Sequence, residues 1–419
     1  MTTETTSSTA ATAATTSTAV AATTSATVVG SSATSTSFST ARTNVVAVKP
    51  LVSVLSLALA AAPLVLAPPS ATAVASCHGL RVTIDLNDPD APETDRDDAD
   101  VVLGTPEPDV IRTGGGDDVV CGGGGYDRIV LGYGDDHAFG GADDDVINGG
   151  AGDDVMVGGR GRDWVDYRKA PHLDLDLWRT SRQATGLGQD ALHGIENVDG
   201  SRFGTNRIGG SGSRNVMYGG ARADDISGGA GPDWIIDGKG GDDTFRGGAG
   251  DDTITAGNGD DLVLGQADDD EVHGDHGADL VRGGRGDDIV DAGGFDGVTT
   301  SVAVGGSGKD LLIAGSGDDV LRGGAGSDTV SYDFVYDPSG AGVHVDLAIE
   351  GAQDTEVAGT DLLVSIENLL GSAMDDELRG TAAPNRLEGG DGDDLLDGRG
   401  DTDTCDGGAG TNEVLNCEA

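Results

Sequence analysis

Gly149-Gly150-Ala151-Gly152-Asp153-Asp154-Val155-Met156-Val157 is one copy of a nine-residue unit, and Gly323-Gly324-Ala325-Gly326-Ser327-Asp328-Thr329-Val330-Ser331 is another. Both fit Gly-Gly-x-Gly-x-Asp-x-apolar-x. A fixed short period is the mark of a solenoid, in which each repeat packs only on its neighbours. With the Asp at position six, the register runs through Asp109, Asp118, Asp127, Asp136, Asp145, Asp154 and Asp163 without a slip. It resumes at Asn206 and Asn215 and continues through Asp224, Asp233, Asp243, Asp252, Asp261, Asp270, Asp279 and Asp288, with one extra residue near Asp237. Asp310, Asp319 and Asp328 form a third run; Asp376, Asn385, Asp394, Asp403 and Asn412 form the last.

Each position has a physical task. Glycines at one, two and four permit positive φ and a sharp loop with exposed carbonyls. The Asp supplies a hard anionic oxygen. The x-apolar-x triplet is a very short strand whose middle residue points inward: Val120, Ile129, Ile147, Met156, Ile226, Phe245, Leu312 and their equivalents. Nine residues cannot close a coil, so two successive units are expected to make one flattened coil with a strand on each face. Stacking at about 4.8 Å then aligns the loops along two edges. The expected fold is all-β: a parallel β-roll with two inserted β-rich modules.

The chain has 419 residues, 73 acidic against 25 basic, with 72 glycines and a net charge of −48. So acidic and aromatic-poor a chain stays unfolded in plain water unless something neutralises it. Its charge repels nucleic acid, and no stable membrane insertion is expected. Calcium suits the loops, because it takes six to eight oxygen ligands, backbone carbonyls included, in irregular geometry. The expected ligands are Asp118, Asp127, Asp136, Asp145, Asp154, Asp163, Asp224, Asp233, Asp243, Asp252, Asp261, Asp270, Asp279, Asp288, Asp310, Asp319, Asp328, Asp394 and Asp403. At one ion per motif Asp, roughly 20 ions would offset most of the charge. The bland alternative makes these aspartates ordinary turn-formers.

The unit resembles the calcium-binding repeat of the RTX (repeats-in-toxin, haemolysin-type) proteins, from about Gly104 to Asn412. The resemblance implies a β-roll that folds on multiple Ca2+ ions held between neighbouring loops, with the position-six aspartates and preceding glycine carbonyls as ligands. Thr113 and Lys239 stand in for glycines, Asp143 replaces a third, and four turns hold Asn.

The expected organisation is 1–76 leader, 77–166 first roll block, 167–205 first insert, 206–331 second and third blocks with a break near 292–304, 332–370 second insert, and 371–419 last block. The inserts match one another. Tyr167, Asp190-Ala-Leu192 and Ile195-Glu196-Asn197 in one correspond to Tyr332, Asp361-Leu-Leu363 and Ile366-Glu367-Asn368 in the other. Before the roll, a Ser/Thr/Ala tract leads to Arg42 and Lys49, an apolar run from Leu51 to Ala67 and small residues at 71–75. That order reads as a cleaved export signal; a membrane anchor would need a longer run without Pro63. Cys77 and Cys121 lie at one end and Cys405 and Cys417 at the other. A solenoid holds its ends apart, so the pairs 77–121 and 405–417 are expected in an oxidising compartment. Unpaired thiols are the alternative, and no Cys-x-x-Cys suggests zinc.

Signs of catalysis are few. There is no His-Glu-x-x-His, no Gly-x-Ser-x-Gly and no phosphate loop. His273 and His276 are too closely placed in one turn to read as a metal pair, and Glu196 and Glu367 read as strand ends. The outward positions Val119, Arg128, Asp166, Thr255, Leu264 and Arg322 make no consistent stripe for a polymer substrate. The expectation is therefore a secreted, non-enzymatic calcium-binding protein serving as an extracellular structural or adhesin-like scaffold, with cell-surface or matrix components as its partners. The alternatives are an extracellular polymer-acting enzyme and an RTX-like toxin.

Overall fold

The alternation of a tight glycine loop with a three-residue apolar-centred strand gives a chain that can only wind. The computed structural model describes residues 76–87, 98–294, 299–335 and 340–418. Residues 1–75 of the expected leader and signal (1–76) lie outside them, as do 295–298 within the expected break. Among the described residues there is no helix, and none long and apolar enough to cross a membrane.

Successive strands on one face pair in parallel at an interval of two units. Val110 lies opposite Arg128, and Arg128 opposite Val146. On the other face Val119 pairs with His137 and His137 with Val155. A coil is thus two nonapeptides, as expected. Position eight forms a single file of side chains down the axis: Val102, Val120, Ile129, Ile147, Met156, Phe245, Ile254, Leu321 and Leu378 are all fully buried. This thin core has one residue per unit, and polar loops make up the rest of each coil.

The two faces differ in continuity. One is a single fifteen-stranded sheet running from Val110–Gly115 to Thr404–Asp406. The other is divided into sheets of seven, ten and four strands. The divisions fall at the inserts. In the first, Gln189–His193 adds to the seven-stranded sheet beside Val155–Arg160, and Leu173–Asp176 begins the ten-stranded one beside Asn206–Gly209. In the second, Thr360–Val364 joins the ten-stranded sheet, with Gln353–Asp354 antiparallel at its edge, and Ala341–Asp346 opens the last.

Register slips occur where the sequence places them. Trp234 pairs with Thr253, one residue beyond the usual interval, matching the extra residue near Asp237. Leu280 pairs with Val302, four beyond it, across the break. Cys77 is bonded to Cys121 and Cys405 to Cys417, with Cα separations of 5.9 and 5.8 Å.

Candidate metal centre

Along both edges the motif aspartates form hydrogen-bonded ladders. The backbone N–H of Asp109 donates to Asp127 Oδ1 at 2.8 Å, that of Asp127 to Asp145 at 2.9 Å and that of Asp145 to Asp163 at 2.8 Å. On the opposite edge Asp118 donates to Asp136 at 2.8 Å and Asp136 to Asp154 at 3.0 Å. The pattern continues through the later blocks, as in Asp243 to Asp261 and Asp270 to Asp288. One carboxylate oxygen of each aspartate is therefore consumed in holding coils together.

The second oxygen is left over. Among the described residues, Oδ2 is buried without a hydrogen-bond partner in eighteen of the nineteen expected ligand aspartates, all but Asp224. A buried oxygen of an ionised group without a partner is costly, and eighteen repeats of it point to a missing positive charge. Burial pushes the carboxyl of Asp145 and Asp154 up to about 7 and that of Asp270 up to about 8.

The glycine at position one explains how room is kept for such a charge. A Cβ on Gly122 would lie 2.3 Å from Asp127 Oδ2 and 2.5 Å from the Gly140 carbonyl oxygen. On Gly228 it would lie 2.3 Å from Asp233 Oδ2 and 2.6 Å from the Gly247 carbonyl. The space that glycine spares is lined by one carboxylate and one carbonyl oxygen, a hard donor set of the kind calcium takes. This corrects one expectation. In the regular nine-residue turns positive φ falls at positions two and four, as at Gly150 (92°) and Gly152 (139°), whereas position one is glycine because a side chain would collide.

Position two decides which turns carry the orphan oxygen. Asp243 and Asp319 aside, every such aspartate follows by four a residue with positive φ, including Asp275, Gln266 and Arg399 where glycine is replaced. Where that residue is Ser or Thr, its N–H bonds back instead: Thr105 to Asp109, Ser372 to Asp376, Ser211 to Asn215 and Thr381 to Asn385, at 2.6–2.7 Å. These turns are closed by the chain itself. Asp224 differs from both groups: Gly220 N–H and the Asn206 amide donate to its Oδ2, but the Gly220 N–H is shared with Asp237.

Other residues in the ladders were not expected. Glu196 and Glu367 accept the N–H of Asp163 and Asp328, each at 2.9 Å, and so take the place of a motif aspartate. Asp190 and Asp361 do the same for Asp154 and Asp319. Ser301 stands between Asp279 and Asp319. A further ladder runs the other way through position five: Asp135 N–H donates to Asp117, and Asp153 N–H to Asp135. The only hint of it in the sequence is the frequency of paired Asp-Asp. One surface expectation also changes: Asp166 is covered, not outward, because Arg168 and Arg128 both reach it. His273 faces Asp291 and Glu271.

The family described as RTX calcium-binding nonapeptide repeat (4 copies) matches residues 96–129, 131–165, 203–235, 218–240, 237–272, 264–298, 303–335, 370–405 and 379–414. Together these span more than half of the chain, and the chain belongs to this family. No curated protein matches it significantly.

Proposed function

We propose that the protein is exported and acts outside the cell as a calcium-dependent structural scaffold, without catalytic activity of its own. The observation that carries the calcium role is the row of buried, partnerless Oδ2 atoms beside glycine-spared space. Residues 1–76, with Arg42 and Lys49 before an apolar run, and the two cysteine pairs support export. Metal binding and folding are coupled wherever the unbound site is unfavourable. Without calcium the roll carries its uncompensated charge and expands; at millimolar calcium it becomes ordered. Its partners would then be cell-surface or matrix components, met by a rigid rod whose order reports calcium outside the cell.

Far-ultraviolet circular dichroism of the chelator-treated mature chain across a calcium titration tests this. The expected result is a cooperative gain of β signal. A chelated chain that is already ordered and does not respond would overturn it. Turnover on a panel of polysaccharides or peptides would overturn the non-enzymatic part alone.

A further inference from the structure

One carboxylate sits where the neighbouring coils keep a very small residue. The position directly after the strand is Gly219, Ala256, Gly274, Ala292 and Ala314 in successive coils of the fifteen-stranded face, but between the first two it is Asp237. The one-residue insertion that lengthens this coil puts it there. Asp237 is 2% exposed, Asp243 2% and Asp224 4%, and one oxygen from each lies within 4.8 Å of the others.

Their donors are neutral. Gly220 N–H donates to both Asp224 Oδ2 at 2.8 Å and Asp237 Oδ2 at 3.2 Å, the Asn206 amide and N–H donate to Asp224 at 3.0 and 2.6 Å, and Lys239 N–H donates to Asp237 Oδ1 at 3.1 Å. Asp243 Oδ2 has no partner. Three like charges so close, in a place shielded from water, repel strongly unless a cation joins them. A cavity of about 350 Å³ gives access from the surface; Tyr218, Ile236 and Asp237 line it, together with the charged side chains of Arg168, Asp199, Arg202 and Lys239.

The geometry points to a cation site of a second kind, in which Asp224, Asp237 and Asp243 together hold one hard multivalent cation such as Ca2+ more tightly than the ordinary turns do. The ordinary turns offer one orphan carboxylate oxygen and carbonyls; this place offers three carboxylates, and ligand charge is what raises calcium affinity in oxygen sites. It fills first in a titration and empties last. The inference shares the wider calcium reading of the array but is separable from it.

Equilibrium binding of Tb3+ and of buffered Ca2+ to the full chain tests the site, with Tyr218 at the cavity as the sensitiser of Tb3+ emission. The expected result is one equivalent that survives chelation able to strip the rest. D237N should weaken that equivalent by about tenfold or more, in line with loss of a ligand charge, and leave later equivalents and the calcium-induced β signal in place. D237G, which restores the small residue of neighbouring coils, should do the same and guards against misfolding of the amide variant. D252N should lower the number of weak equivalents and spare the tight one. Retention of the tight equivalent in both Asp237 variants would overturn the proposal, as would a wild-type chain whose equivalents all share one affinity. If D237N merely makes the chelated protein more stable, with binding unchanged, a shared proton holds the three groups and the proposal fails. A tight equivalent that persists while the array takes no calcium would support this site and sink the wider reading.

Discussion

The phenol of Tyr167 donates to Asp190 Oδ2 at 2.7 Å. Thr185 adds its hydroxyl at 2.7 Å, so the oxygen that the array leaves bare is here fully satisfied by protein. The second insert repeats the arrangement, with Tyr332 at 3.1 Å and Thr355 at 3.2 Å from Asp361. Each insert thus ends a run of orphan oxygens with a hydroxyl pair in place of an ion.

The Tyr167 contact should therefore be independent of calcium. Y167F removes a buried hydrogen bond to a carboxylate and should cost about 1–3 kcal/mol. The loss should appear as faster hydrogen exchange around the first insert. It should be the same at saturating calcium as at limiting calcium. A loss that vanishes with added calcium would contradict this.

The ion-free roll should prefer acid. Burial raises Asp154 to about 7, Asp233 to about 7 and Asp270 to about 8, against 3.8 for the ordinary group. For a carboxyl whose folded value lies above its unfolded one, stability is complete below the unfolded value and is lost as pH rises through the folded value. The chelated chain should gain β structure as pH falls from about 8 to about 4, most steeply between about 6 and about 4.5, where the folded carboxyls are protonated and the unfolded ones are not. Calcium should abolish that dependence and release protons on binding. Circular dichroism against pH, with and without calcium, checks both statements.

Gly150, at position two, should resist a side chain. G150A would place a Cβ at a φ of 92° and 2.1 Å from the Gly132 carbonyl oxygen. Strain of about 1–3 kcal/mol or more is expected. It should raise the calcium concentration at the folding midpoint and lower the melting temperature in saturating calcium.

The Cys77–Cys121 bond closes a loop across the first coils. Its removal by C77S with C121S should cost about 2–4 kcal/mol. Because coils touch only their neighbours, proteolysis and hydrogen exchange should show the damage confined to the first coils. The last block should keep its protection.

The winding of the chain was legible because Asp154 and its equivalents recur at a constant interval, and backbone pairing follows an interval directly. The ladders were half legible. Asp127 announces itself, but Asp117 stands at a motif position that any residue can fill. Glu196 was missed because a longer side chain reaches the same N–H from a strand that has left the nine-residue register. Ser211 and Thr381 carry a readable signal: at position two they mark turns that close on themselves, although the meaning emerges only once the direction of their N–H is known. Asp237 looked like a slip of register. Its carboxylate acquires significance only when the neighbouring coil brings Asp224 against it.

One face of the roll keeps all fifteen strands in line while the other is spliced twice. A protease that cuts within either insert severs the covalent thread at a splice yet finds the adjoining coils still zipped along the intact side. The rod can be nicked there without coming apart, and its backbone in the mechanical sense is a hydrogen-bonded seam, not the polypeptide.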